Sequence, residues 1–171
     1  MITRHADDFF AYAKTLDLDF SSATAKAVFV VSPIGFALAE QSARDNRYMQ
    51  MGQVTDAQQA IMEHQQLQAT LRQHCPVICF PGDPNMPDSV FPNNVFATAE
   101  GKFIIGHMRH PVRQKEATRT DIRRFMTEVM QREEIDLSSQ PGICELTGSL
   151  IIDRARGIGF CGLSERCDEA G

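Results

Sequence analysis

Between positions 55 and 74 the chain is rich in glutamine, alanine, leucine and methionine, and Ala57, Ile61, His64, Leu67 and Leu71 recur at steps of three and four residues. That rhythm predicts a long amphipathic helix with one apolar face. Pro76 lacks an amide hydrogen and clashes with a preceding helical turn, so the helix must stop before it. Val77-Ile78-Cys79-Phe80 follows as a short apolar run and reads as a buried strand. An earlier run, Ala27-Val28-Phe29-Val30-Val31, closed by Ser32-Pro33, reads the same way, and a polar and aromatic lead over 6–16 reads as a first helix.

The segment Pro81-Gly82-Asp83-Pro84-Asn85-Met86-Pro87 excludes regular structure and delivers Asp88 on a loop. Beyond it, Val95-Phe96-Ala97-Thr98 and Lys102-Phe103-Ile104-Ile105 flank a connection short enough for an antiparallel hairpin. A second amphipathic helix is predicted over 118–134, with Ile122, Phe125, Met126 and Val129 on its apolar face. Leu150-Ile151-Ile152 and Ile158-Gly159-Phe160-Cys161 then bracket a second hairpin. The order helix, strand, loop, hairpin thus occurs twice, with Asp88 and Glu145 each just ahead of a hairpin. On the residues alone this is an α/β or α+β domain with mixed sheets and amphipathic helices.

At 171 residues and 43% hydrophobic, the chain is long enough for one domain and one core. A net charge of −5 without a basic run argues against nucleic acid as a partner. No apolar stretch approaches the roughly 20 residues that span a bilayer, and the polar, acidic start does not resemble a signal peptide, so no membrane partner and a cytoplasmic location are expected. Five cysteines without a repeated spacing fit reduced thiols, and Cys79, Cys144 and Cys161, all in apolar stretches, read as buried small hydrophobes. No metal or other cofactor is expected. His107 and His110 lack a third ligand at a recognisable spacing, and the GxGxxG-like run starting at Gly157 does not open a helix.

Asp88 and Asn94 can share one side of a loop-to-strand transition, where a carboxylate and an amide offer acceptors and donors to a flat substrate. Asp-Ser and Pro-Asn-Asn are also ordinary turn chemistry. Glu145 sits between Cys144 and Leu146, where an unpaired carboxylate is costly, so it needs a partner. Arg154 or Arg156 across the sheet would serve.

Three stretches, Asp88-Ser89-Val90-Phe91-Pro92-Asn93-Asn94, Glu145-Leu146-Thr147-Gly148-Ser149 and Leu163-Ser164-Glu165-Arg166, together resemble the guanidino-group-modifying (pentein) superfamily of arginine deiminases, dimethylarginine dimethylaminohydrolases and amidinotransferases. The likeness is strongest to its citrulline-hydrolase-like branch. It implies a propeller of five ββαβ units around a central active site, of which 1–171 would be a single domain covering the N-terminal part, about half. It also implies hydrolysis of a guanidino or ureido C–N bond through a cysteine–histidine covalent mechanism, with a small citrulline- or arginine-like amino acid as partner. By the same resemblance Glu145 orients the catalytic histidine, Asp88, Phe91, Asn93 and Asn94 form the substrate turn, and Arg113 and Arg166 grip the substrate carboxylate. Where dimethylarginine hydrolases carry Val-Glu-Asp, this chain has Pro92-Asn93-Asn94, and an uncharged turn favours a neutral ureido group.

In that superfamily the histidine and nucleophilic cysteine lie in the later half, so the resemblance leaves this chain without them. Whether the chain is an enzyme is therefore open. An active hydrolase, an inactive truncated fragment and an amino-acid-binding module are the three readings, and exposed strand edges would favour self-association or a missing C-terminal half.

Overall fold

The structure is a computed structural model that describes residues 24–44 and 55–171, with a few isolated positions outside them. The helix expected over 6–16 lies largely outside the described residues. Strand β1 (Val28–Val31) pairs in parallel with β2 (Val77–Phe80), Val28 opposite Val77. Between them come a one-turn helix α1 (Glu40–Ala43) and the long helix α2 (Ala57–Leu71). Asp56 caps α2, its carboxylate accepting from the amides of Gln58 and Gln59 at 2.9 and 3.0 Å. The buried position of α2 is Gln68, whereas Leu67 is half exposed. Ile61, His64 and Leu71 lie on the inner face as predicted, and Gln68 takes the place of Leu67 there.

A 3₁₀ turn (Pro92–Asn94) leads into β3 (Phe96–Ala99), which forms an antiparallel hairpin with β4 (Lys102–Ile105). The segment ahead of the predicted second helix is itself helical: α3 (Pro111–Gln114) runs into a 3₁₀ turn (Lys115–Thr118). Proline suits the first turn of α3, where no intrahelical amide bond is lost. Helix α4 (Thr120–Arg124) continues as a π turn (Phe125–Val129), with the Met130 amide donating to the Phe125 carbonyl.

The predicted helix over 118–134 therefore ends early, Val129 is 65% exposed, and a strand β5 (Glu133–Asp136) takes its last residues. Gln131, at φ 52°, turns the chain back. Glutamates are poor strand formers, but β5 pairs in parallel with β4 and its acids find bases: Glu133 meets Lys102, and Glu134 and Asp136 both meet Arg123. Tertiary pairing overrides local propensity. Helix α5 (Leu146–Ser149) then precedes the antiparallel hairpin β6 (Leu150–Asp153) and β7 (Ile158–Cys161).

The described residues thus form a mixed α/β structure with three small sheets, and β3, β4, α4 and β5 together make one complete ββαβ unit. Residues alternate across β3 and β4 with period two. Phe96, Phe103 and Ile105 enter the main core with Val31, Phe80, Ile122 and Met126, while Ala97 and Ile104 on the other face pack on Cys144, Leu146 and Cys167. Edge-on and stacked rings running Phe125, Phe80, Phe29, Phe96 and Phe103, with centroids 5.5–6.5 Å apart, join the first sheet to the second.

Two glycines set the approach of the segments that follow. A Cβ on Gly82 would lie 2.2 Å from the Ile34 carbonyl oxygen, and one on Gly106 would lie 2.4 Å from that of Cys144. Only glycine lets these backbones meet. The first contact holds the loop leading to Asp88, and the second seats the strand entry that carries Glu145. No helix among the described residues is long and apolar enough to cross a membrane.

Candidate functional site

Two turns distant in sequence face each other. The Asn93 side-chain amide donates to Thr147 Oγ1 at 2.5 Å, and the Thr147 hydroxyl donates back to the Asn93 carbonyl at 2.9 Å. Asn93 is thereby spent on joining the Pro92–Asn94 turn to α5. Asn94, next along, approaches Gly148 instead.

Glu145 precedes α5 and is 2% exposed. Its Oε1 accepts from the Arg109 amide at 3.2 Å and its Oε2 from Arg166 Nη1. The partner expected across the sheet is not used: Arg154 donates to the Thr98 carbonyl and Arg156 pairs with Asp153. The main chains of the Glu145 and Arg166 segments are also joined, the Glu145 amide donating to the Arg166 carbonyl at 2.8 Å. Arg109 closes the group from the other side, since its guanidinium pairs with Glu165 at 2.7 Å. A buried carboxylate is tolerated because charge-assisted donors replace the water it loses.

These side chains converge on Gly148. A Cβ there would lie 3.2 Å from Arg166 Cδ, 3.3 Å from Asn94 Nδ2 and 3.6 Å from Glu145 Cβ. Beside Gly148 opens a groove of about 520 Å³ lined by Thr147, Ser149, Phe160, Cys161 and Ser164 among others. It offers hydroxyls and apolar surface together, a mixture suited to a small polar ligand with an aliphatic stem.

Asp88 is buried, and Ser42 Oγ donates to its Oδ2. Arg113 does not present its guanidinium outward. It is 6% exposed, and its Nε and Nη2 grip both oxygens of Glu116 at 2.8 and 2.9 Å. Nη2 also donates to the carbonyls of Phe91 at 3.0 Å and Asp88 at 3.3 Å. Burial works against the Arg113 charge, yet Glu116, Asp88 and Glu145 together hold its pKa above the ordinary value. Burial pushes the Glu116 carboxyl up, and the Arg113 fork draws it back only in part. In this structure Arg113 braces the turn that runs from Asp88 to Asn94. Phe91 lies at the surface of that turn, half exposed and edge-on to Phe36 at 6.0 Å.

The structure therefore gathers Asn94, Glu145 and Arg166 around one glycine and joins Arg113 to Asp88 at its main-chain carbonyl. Sequence reading missed Arg109, Thr147, Ser42 and Glu116. Glu116 alone left a signal, three residues after Arg113 and within reach on a helical turn. The other contacts join distant segments and leave none. Cys144 is buried as expected, but Cys79 and Cys161 are exposed. Burial pushes the Cys144 thiol up to about 12. Among the described residues no cluster of histidine, cysteine and acidic side chains has the geometry of a metal site.

A search of curated proteins returned no match. Among solved structures, the chain is similar to ArgZ, an arginine dihydrolase from the ornithine-ammonia cycle in cyanobacteria, at TM-score 0.68 and 18% identity, covering 84% of this chain and 21% of that one. The N-terminal domain of ArgZ bound to substrate gives TM-score 0.67 and 18% identity, with 84% of this chain and 51% of that one covered. A DDAH from Pseudomonas aeruginosa, a cysteine-to-serine mutant complexed with citrulline, gives TM-score 0.62 and 20% identity over 85% of this chain and 53% of that one. The chain spans a fifth of the full-length ArgZ and about half of the other two. At these identities the likeness is one of fold. The sequence model described as N,N dimethylarginine dimethylhydrolase, eukaryotic, matches residues 32–171. With that match over most of its length, the chain belongs to the N,N-dimethylarginine dimethylhydrolase family, within the pentein group of arginine-modifying proteins.

Proposed function

We propose that residues 1–171 form one domain that supplies the substrate-recognising part of a hydrolase acting on the guanidino or ureido C–N bond of an arginine- or citrulline-like amino acid. The observation that carries this reading is the convergence of Asn94, Glu145 and Arg166 on Gly148 at the edge of an open groove. Similar structures hold such ligands: the ArgZ domain is bound to substrate and the Pseudomonas protein to citrulline. In this reading the three sheets are successive blades of a propeller, and the protein is cytoplasmic.

Arg166 uses one guanidinium nitrogen on Glu145, and its remaining donors suit the substrate carboxylate. Asn94 meets the reacting end, where an uncharged amide accommodates a ureido group without a countercharge. Asp88 and Phe91 complete the turn, Arg113 and Asn93 hold its shape, and Glu145 orients the imidazole that serves as general acid and base. A thiolate attacks the guanidino or ureido carbon, the amine leaves with a proton from that imidazole, and water releases the adduct. The thiolate and imidazole come from a further part of the longer relatives' fold. Neither metal nor organic cofactor takes part.

A second reading, an amino-acid-binding module, is favoured by the Cys144 thiol, whose high pKa is the reverse of an activated nucleophile. Titrating the chain with L-citrulline and L-arginine under NMR tests recognition, which both readings require. Saturable shifts of the Gly148 amide, weakened at least tenfold by Arg166→Ala, support it. A folded chain with no shift at Gly148 removes it.

A further inference from the structure

The main chain places two cysteines directly opposite each other beside the site. Cys144 and Cys167 are partners in an antiparallel bridge. The flanking bonds run from the Glu145 amide to the Arg166 carbonyl and from the Asp168 amide to the Ile143 carbonyl, so neither cysteine's own amide or carbonyl bonds the other. Such a non-hydrogen-bonded pair brings Cα atoms to about 4.5 Å with side chains on one face, inside the span a disulfide needs. Both residues are buried in one small apolar cluster with Leu146.

A third thiol reaches the same place. Cys161 stands opposite Leu150 in the β6–β7 hairpin, and Leu150 packs on that cluster. Burial first, and then the neighbouring Cys167, raise the pKa of both Cys144 and Cys161, which puts the three sulfurs in one neighbourhood. Cys161 is exposed as a residue and lines the open groove, so it is the member a dissolved reagent meets first. The cluster lacks metal-site geometry, which leaves sulfur–sulfur chemistry.

We propose that Cys161, Cys167 and Cys144 form a thiol-relay oxidation site, in which a small disulfide enters at Cys161 and leaves a cross-strand Cys144–Cys167 disulfide that clamps the Arg166 turn to the strand entry carrying Glu145. The Cys161 thiol loses its proton to solvent, and its thiolate attacks one sulfur of the small disulfide, which releases a thiolate that takes up a proton. The Cys167 thiolate attacks the Cys161 sulfur of the mixed disulfide and expels the second small thiolate. The Cys144 thiolate then attacks Cys167, returning Cys161 to the thiol. Two protein thiols lose two electrons and two protons, and one small disulfide gains them.

Burial raises the Cys161 and Cys144 thiols above the ordinary range, so the relay is slow at neutral pH and its rate follows ionisation.

The test uses the full chain carrying Cys75→Ser and Cys79→Ser, incubated with oxidised glutathione, quenched by acid and alkylation, and mapped by peptide mass spectrometry. One intramolecular disulfide joining Cys144 and Cys167 is expected, forming about tenfold faster per pH unit between roughly pH 7 and 9. Cys161→Ser should slow it by about tenfold or more without changing the product, and Cys144→Ser should stop it at Cys161–Cys167. Cys167 remaining fully alkylatable in the folded chain, or disulfides forming only between chains, overturns the proposal. Because the mapping is done without altering the cluster, it stands even where a cluster variant does not fold.

Discussion

Asn93 and Thr147 exchange hydrogen bonds across 54 positions of sequence, the amide donating to the hydroxyl and the hydroxyl to the carbonyl. This latch joins the Pro92–Asn94 turn to the helix that holds Gly148. Thr147→Val keeps the shape of the side chain and removes both bonds. The expected cost is about 1 kcal/mol, since neutral, exposed hydrogen bonds contribute little each. Urea unfolding should show a lower midpoint with an unchanged slope, and an unchanged midpoint would mean that the latch carries no stability.

Arg113 and Glu116 should behave as a buried pair. Arg113→Met leaves a carboxylate buried without its countercharge, at a cost of about 3–5 kcal/mol near neutral pH. The sign of the pH dependence follows from Glu116. Its folded pKa is already raised by burial, and losing Arg113 raises it further, so the folded variant binds a proton that the unfolded chain releases above the ordinary carboxylate pKa. Stability of the variant relative to the parent should therefore recover as pH falls from neutral toward that ordinary value. Denaturant unfolding of both proteins at several pH values measures this, and a cost independent of pH would show that Glu116 does not titrate with the pair.

Substrate choice should depend on Asn94. In a complete enzyme carrying this turn, Asn94→Asp supplies a charge to a guanidinium and nothing to a ureido group. Selectivity should move toward the guanidino substrate by about 1–2 kcal/mol, the difference between charged and neutral hydrogen bonds. The ratio of kcat/KM for citrulline to that for arginine reports it. An unchanged ratio in a folded protein would place Asn94 away from the reacting group.

The purified chain should release no ammonia from L-citrulline or L-arginine. A thiol held near 12 at Cys144 is almost wholly protonated at neutral pH, and the sulfurs of Cys79 and Cys167 donate to the main-chain carbonyls of Phe80 and Asp168. A coupled ammonia assay is sufficient. Thiol-dependent turnover would contradict this, and serine replacement at each cysteine would then identify the sulfur responsible.

Sequence alone determined the elements whose signals are local. The helix Ala57–Leu71 follows from apolar spacing that a proline brings to an end, and both hairpins follow from apolar runs around short connections. The resemblance to a known family named Asp88, Asn94, Glu145 and Arg166 as candidates, and the structure brings the last three of them around Gly148. Tertiary structure decided the rest. Glu133–Asp136 became a strand because β4 offered it a partner and its acids met Lys102 and Arg123. Arg113 can turn inward because Glu116 and two turn carbonyls replace the water that its Nε and Nη2 lose on burial. Glu145 chose Arg166 over nearer arginines because the backbone pairing of their segments had already brought the two together. Local periodicity encodes which face of an element is buried, but a side chain's partner depends on which distant segment the sheet pairing brings beside it, and no spacing in the sequence records that.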